Sequence, residues 1–513
     1  MTDALWTLDA FVQATRGRVV GAPPSEIAAI TIDSRTAAAG EAFFAIKGDV
    51  HDGHSFVTGA FKRGAALAVV AEDKLGALPV DGAYVVVDDV LASLVRLAEA
   101  ARQRSRARIV AVTGSVGKTS TKEALAAVLG RQGRVHFSPA SFNNHWGVPL
   151  TLARMPADVD FGVFEIGMNH AGEITPLVKM VRPHVAVITT VAAVHLEFFA
   201  SVADIARAKG EIFSGVEPGG AAVINGDIAE ADLLEAMARD AGIATIVRFG
   251  ETAGCGSHID NLILKPGISC ARGTLLGADL TWKIGAPGRH MAVNSLAVLT
   301  AAVLLGADLA VAALTLGELT APKGRGLQHR LEVGEGEATL IDESYNANPT
   351  SVCAAIDLLA QSAIGFRGRR IAVLGDMLEL GETGEALHAV LAEPLRRAAI
   401  DKVYCAGPLM RSLWQALPAD QRGAWAETSE QLKPQVLKAI CPGDAVMVKG
   451  SFGSRMGLIV DAIRAKFGAV ERPAELIETE VRTCRTRAMP PPVGAGHFPG
   501  AHCANGFPGN SKA

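Results

Sequence analysis

Short apolar runs bounded by Gly, Pro, Asp or Ser alternate along most of this chain with stretches of helical period. That is the rhythm of parallel strands joined by crossover helices. The first part predicts strands over 28–32, 42–46, 67–70 and 84–87, closed by a helix over 91–102. A second series predicts strands over 109–113, 161–165, 185–190 and 221–225. The 247–284 stretch has shorter, alternating runs and reads as an antiparallel appendage. After Pro322-Lys323-Gly324-Arg325-Gly326, which reads as a hinge, a third series predicts strands over 338–341, 370–374, 402–405 and 445–448. The most apolar stretch, 291–305, is interrupted by Asn294, Ser295 and Thr300 and stopped at Gly306. It is too short and too polar to span a bilayer and predicts a buried helix.

A chain of 513 residues is too long for one core. The expected division is a small α/β domain over 1–106, a doubly wound α/β domain over 107–321 and a second, Rossmann-like α/β domain over 322–470. An extension over 471–513 follows, rich in Pro and Gly and expected to be disordered at least from 489. His497, His502 and Cys503 in it read as a solvated tail rather than a metal site. The net charge of −4 excludes the electrostatic footprint of a nucleic-acid binder. The basic cluster from Arg102 to Arg108 reads as a solvated inter-domain segment. Seven scattered cysteines without a Cys-x-x-Cys pair fit a reducing cytoplasm and argue against structural zinc. The first residues carry no basic stretch followed by an apolar core, so no signal peptide is expected.

The densest chemistry lies at Thr113-Gly114-Ser115-Val116-Gly117-Lys118-Thr119-Ser120. A strand feeding a Gly-Lys-Thr turn at a helix start is a phosphate cradle. Backbone N–H groups and the positive helix end face the anion, Lys118 adds a point charge, and Thr119 can ligate Mg²⁺. The strict P-loop has Gly where Val112 stands, so this loop is a shortened relative. Glu165 ends one predicted strand of the same sheet and His195 follows another, at edges where hard metal ligands belong. Lys209 by spacing alone is a helix-surface lysine. Asn143-Asn144-His145-Trp146-Gly147-Val148-Pro149 is an amide-dense loop, suited to a polar ligand or to turn contacts. Asp33-Ser34-Arg35 and Asp52-Gly53-His54 offer donors suited to a diphosphate, though Asx and Ser turns use the same letters.

These motifs resemble the Mur ligases of peptidoglycan synthesis, and the resemblance runs from about Ile30 to Ile463. It rests on Thr113-Gly114-x-x-Gly117-Lys118-Thr119, Asn143-Asn144-x-x-Gly147-x-Pro149, Glu165-Ile166-Gly167-Met168-Asn169, His195-Leu196-Glu197 and Ala208-Lys209-Gly210-Glu211-Ile212. Ser344-Tyr345-Asn346-Ala347-Asn348-Pro349, Leu374-Gly375-Asp376-Met377-Leu378-Glu379-Leu380-Gly381 and Val448-Lys449-Gly450-Ser451 resemble the branch that adds D-alanyl-D-alanine. The Asp-Asn-Pro-Arg motif of the diamino-acid-adding branch is missing from the sequence.

The resemblance implies three domains and ATP-dependent addition of D-Ala-D-Ala to UDP-MurNAc-tripeptide through an acyl phosphate, by a cytoplasmic monomer. It implies two Mg²⁺ ions held by Thr119, Glu165, His195 and a carbamylated Lys209. Lys118, Lys209, His195 and Glu165 are the implied catalytic set. Residues 113–120 with Asn294, Arg325 and Glu343 are the implied ATP contacts. Ser34, Arg35, Lys47, Gly48, Asp52 and His54 fall on the UDP-binding blocks. The chain departs from the family at His290-Met291-Ala292-Val293-Asn294, where one amide is missing, and at Glu343, where Asp is usual. Phe452 and Thr190 stand where Arg and Asn are common, and Arg455 is a possible substitute for the former. Two other readings share the phosphate loop: a folylpolyglutamate synthase-like ligase, which needs no UDP blocks, and a nucleotide switch or scaffold, which needs no turnover.

Overall fold

The computed structural model describes residues 4–139, 141–194, 197–265 and 267–471. His195 and the tail beyond 471, with its expected disorder, lie outside the described residues. Three α/β sheets follow one another along the described chain, with a two-stranded ribbon, Trp6–Thr7 against Glu26–Ile27, at its start.

The first sheet has five strands. Ala29–Thr31, Glu41–Phe44, Leu67–Ala71 and Tyr84–Val87 run parallel, and Arg18–Val20 pairs antiparallel at the edge. Their near-continuous apolar sequences are explained by helices covering both faces. Helix Val90–Arg104 starts where the Asp89 side chain accepts the Ala92 N–H, and it leads into the second sheet.

The basic cluster at this junction is solvated only in part: Arg106 and Arg108 are exposed, whereas Arg102 and Arg104 are drawn into the fold. Arg102 is buried and donates from Nε to Val181 O at 2.8 Å and from Nη2 to Arg182 O at 2.9 Å. Arg104 lies 3.5 Å above the Trp6 ring and bonds Met155 O, and burial pushes its guanidinium down to about 10. Periodicity could not reveal this, because the carbonyls these arginines satisfy come from distant helix ends.

The second sheet has nine strands. Val135–Phe137, Phe161–Glu165, Arg108–Thr113, Val185–Ile188, Ala221–Asn225 and Thr245–Gly250 lie parallel in that order. The strand order reverses beside Arg108–Thr113, which places a switch-point crevice at its carboxyl end. The expected appendage is instead a continuation of this sheet. Ser257–Lys265 pairs parallel with Thr245–Gly250, then antiparallel with Ile268–Leu275, which pairs with Ala278–Ile284. Ile259, Ala271, Leu275, Trp282 and Ile284 pack against the 291–305 region, which is the buried helix Arg289–Leu304. Trp282 Nε1 donates to Ser295 Oγ at 2.8 Å, so one polar interruption of that helix is a hydrogen-bond partner.

The third sheet has seven strands. Arg422–Ala426, Lys402–Ala406, Arg370–Gly375, Ala445–Lys449 and Gly336–Glu343 are parallel. Leu327–Val333 and Ala469–Glu471 add antiparallel strands at one edge. Its order reverses between Arg370–Gly375 and Ala445–Lys449. No described helix is long and apolar enough to cross a membrane.

Candidate active site

The Arg108–Thr113 strand ends in the glycine loop, and helix Lys118–Gly130 begins immediately after Gly117. Gly117 adopts φ 88°, and a Cβ there would sit 2.6 Å from Asn294 Nδ2, so both backbone and space demand glycine. Ser115 N donates to Thr190 O at 2.8 Å, and Thr189 Oγ1 donates to Val116 O at 2.6 Å, fixing the loop on the neighbouring strand end. Lys118 Nζ curls back onto Gly114 O at 2.7 Å. Burial lowers its ammonium from the usual lysine range, opposed by the Glu165 carboxylate and aided by the Arg325 charge.

Glu165 is buried at the end of the adjacent strand. Its Oε2 accepts from Thr119 Oγ1 at 2.8 Å and its Oε1 from Asn143 Nδ2 at 2.7 Å. Ser141 Oγ lies 3.4 Å from Thr119 Oγ1. A carboxylate bonded to one hydroxyl, with a second hydroxyl beside that one at a phosphate loop, is a hard-oxygen donor set, and such a set fits Mg²⁺. Lys209 is buried near the end of helix Val202–Gly210, with no hydrogen-bond partner among the described residues. Burial, and then the Lys118 charge, hold its amine well below the lysine range. Thr119, Glu165, Lys118 and Lys209 thus share one neighbourhood. No trio of His, Cys, Asp or Glu able to hold a metal occurs among the described residues, and His195 is outside them.

Asn294 faces the loop from helix Arg289–Leu304, beside a narrow crevice lined by Ser120, Ile284, Met291, Leu316 and Leu319. Arg325 enters from the other side on the 322–326 turn, its guanidinium 4.2 Å above the Tyr345 ring. That turn is clamped to the third sheet. Asp342 Oδ2 accepts Gly324 N–H at 3.0 Å, Asp342 Oδ1 accepts Ser344 Oγ at 2.6 Å, and Tyr345 N donates to Gly324 O at 3.1 Å. Glu343 accepts from Lys449 Nζ at 3.1 Å, a buried ion pair.

The N-terminal candidates form a separate group. Arg35 is exposed and forks onto Asp33 through Nε at 2.9 Å and Nη2 at 2.8 Å. Ser34 is half-buried and Lys47 is exposed. Gly48 lies so close beneath Trp146 that a Cβ would meet the ring at 2.7 Å, which joins this loop to the amide-dense one. Asp52 Oδ1 accepts from His54 Nδ1 at 2.6 Å, while His54 Nε2 accepts Ala71 N–H at 3.0 Å. Both ring nitrogens are therefore engaged within the fold. Sequence reasoning missed Ser141, the Glu343–Lys449 pair and the seat of Arg325 on Tyr345. Only the amide density of the Asn143 loop signalled its carboxylate contact in advance.

A phosphate loop at the switch point of a doubly wound sheet, with a carboxylate and hydroxyl at its mouth and an arginine brought in from another sheet, defines a multidomain P-loop enzyme. The family described as Mur ligase middle domain matches residues 112–302. The Mur ligase, glutamate ligase domain matches 329–452, and the Mur ligase family catalytic domain matches 26–115. The chain belongs to the Mur ligase family. It is 34% identical to the UDP-N-acetylmuramoyl-tripeptide–D-alanyl-D-alanine ligase of Escherichia coli over 89% of this chain and 98% of that one. Its fold is similar to a crystal structure of MurF from Acinetobacter baumannii (TM-score 0.78, 29% identity, 90% of this chain and 99% of that one). It is also similar to MurF ligase from Thermotoga maritima in complex with ADP (TM-score 0.72, 26% identity, 85% and 97% coverage).

Proposed function

We propose that this chain is an ATP-dependent ligase that adds D-alanyl-D-alanine to UDP-N-acetylmuramoyl-tripeptide in peptidoglycan synthesis. The observation that carries the reading is the convergence of Lys118, Thr119 and Glu165 at the central switch point with Arg325 from beyond the hinge. A carboxylate cannot acylate an amine at neutral pH, because its oxide does not leave. Attack of the tripeptide carboxylate on the γ-phosphorus breaks the bond to the β–γ bridging oxygen, giving an acyl phosphate and ADP. The neutral dipeptide amine then adds to the acyl carbon. Collapse of the tetrahedral intermediate expels phosphate, and the amine proton passes to solvent.

In this scheme backbone N–H groups of 114–119 and the start of helix Lys118–Gly130 hold the phosphates. Lys118 and Arg325 face the charge that develops on the transferred group. Asn294 positions the base, and Glu343 the ribose, at a side chain already paired with Lys449. Asn143 fixes the Glu165 carboxylate. Thr119, Glu165, His195 and Lys209, the last as a carbamate, would hold Mg²⁺, which when bound neutralises phosphate charge. The suppressed ammonium form of Lys209 supports that modification, since a neutral amine adds to CO₂ and loses one proton. Ser34, Arg35, Lys47, Gly48, Asp52 and His54 are assigned to the UDP moiety. Hinge closure would bring Arg325 to the phosphates and exclude water. We place domain boundaries near 106 and 321, and the working form as a cytoplasmic monomer, in keeping with the absence of a Cys-x-x-Cys pair from the sequence.

The test is phosphate release from ATP with UDP-MurNAc-tripeptide, with and without D-Ala-D-Ala. Release that needs both substrates is the expected result, and release indifferent to the dipeptide would overturn the assignment.

A further inference from the structure

Helix Lys118–Gly130 fully buries a second lysine, Lys122, which none of the roles above uses. Its buried neighbours on the helix are Ala124, Leu125, Val128 and Leu129. An apolar side chain would fill this place without the cost of desolvating an ammonium, so stability alone does not account for a lysine. What the ammonium meets is the chain segment leaving strand Val135–Phe137. Lys122 Nζ donates to Ser138 O at 2.6 Å and lies 2.8 Å from Glu123 Oε1. Thr119 and Lys122, three residues apart, lie on one helix face. They meet the segment at Ser141 and Ser138, also three apart, with Ser141 Oγ 3.4 Å from Thr119 Oγ1. The far end of the segment is fastened where Gly167 N donates to Asn143 O at 2.8 Å. Pro139, between the two, brings no N–H of its own.

We propose that Lys122 is a positioning residue for the cation site: by fastening Ser138 it sets where Ser141 and Asn143 stand against Thr119 and Glu165. The inference rests on the Mg²⁺ assignment within the ligase reading above. Thr119 and Glu165 belong to a helix and a strand, and those elements hold them. Ser141 and Asn143 lie outside helix and strand, so their places depend on what ties the segment down. Asn143 reaches the site directly, its Nδ2 donating to Glu165 Oε1 at 2.7 Å. Without the ammonium, the Ser138 carbonyl loses a charge-assisted hydrogen bond, the stronger kind, and the segment is free to withdraw from Thr119. The Asn143 amide then no longer fixes the carboxylate, which is the work that outer partners do at metal sites. Lys122 touches neither nucleotide nor metal and acts through the segment alone.

The test is the ADP affinity of the full chain, measured by calorimetry in Mg²⁺ and again in EDTA. Lys122→Met, which keeps the apolar stem and removes the ammonium, is expected to weaken binding in Mg²⁺ about tenfold, the lower end of what outer partners of a metal site contribute. Binding in EDTA should match wild type, because the phosphate loop itself is untouched. The Mg²⁺ concentration for half-maximal phosphate release should rise by the same factor, with the dipeptide KM unchanged. Lys122→Gln, whose N–H donor sits on a shorter stem, should fall between Lys122→Met and wild type, and it replaces the methionine variant if that one does not fold. Adding Ser141→Ala to Lys122→Met should weaken Mg²⁺-dependent binding no further, since both act through one segment. An unchanged ratio of the two affinities in both Lys122 variants, even beside a lowered urea midpoint, marks a merely structural lysine and overturns the inference. Full additivity with Ser141→Ala does the same. Wild-type ADP binding indifferent to Mg²⁺ would instead overturn the cation assignment beneath it.

Discussion

The second and third sheets both reverse strand order at a parallel edge, yet they treat their charges in opposite ways. In the second, among the described residues, Lys118 reaches only a backbone carbonyl and Lys209 is buried without a partner. In the third, Lys449 is paired with Glu343, the Asp376 carboxylate accepts Met410 N–H at 2.8 Å, and His388 is bonded at both ring nitrogens. One edge keeps cations poorly satisfied, a cost that only an anionic ligand or a chemical modification offsets. The other satisfies its charges internally and presents aromatic surface at Phe452. The same topology thus yields an electrostatic socket in one place and a rigid platform in the other.

The largest expected effect breaks the tied-off edge. Glu343→Gln leaves the Lys449 charge buried and uncompensated, which should cost about 3–5 kcal/mol of stability in urea unfolding. If the loss is well under that, the pair is not what stiffens this edge. Next, Lys118→Ala removes a charge from the open socket, and kcat for phosphate release should fall about 10²–10³-fold. Thermal stability should hold or rise, since burial already disfavours this ammonium; a marked drop in Tm would place Lys118 among structural residues and erase the contrast. The smallest effect is a pH dependence. Burial lowers the His388 imidazole from its ordinary value, so it stays neutral in the native chain while the unfolded chain protonates at about 6.5. Unfolded chains then bind more protons, and stability falls as pH drops below about 6.5. Comparing wild type with His388→Gln from pH 7 to 5 should show a flatter acid limb, by about 1 kcal/mol, and parallel limbs would show that His388 does not hold the Met377 turn.

Much of the fold was legible because parallel strands buried on both faces read as apolar runs, and 161–165 and 221–225 match the observed strands residue for residue. The strands from Ser257 to Ile284 are legible as strands but not as part of the central sheet, because alternation marks a strand and says nothing of which neighbour it extends. The seats of Arg102 and Arg104 are hidden from the sequence for a related reason: charge alone does not show which carbonyls lie within reach.

By itself, the sequence determined the phosphate loop, the order of three α/β units and the family, since each depends on residue types at short, fixed spacing. Tertiary structure decided which distant side chains meet: Glu165 with Thr119 and Asn143, Glu343 with Lys449, Arg325 on Tyr345. It also decided that Lys209 is no surface lysine, because desolvation depends on everything that packs around a group, and that is a property of the folded chain.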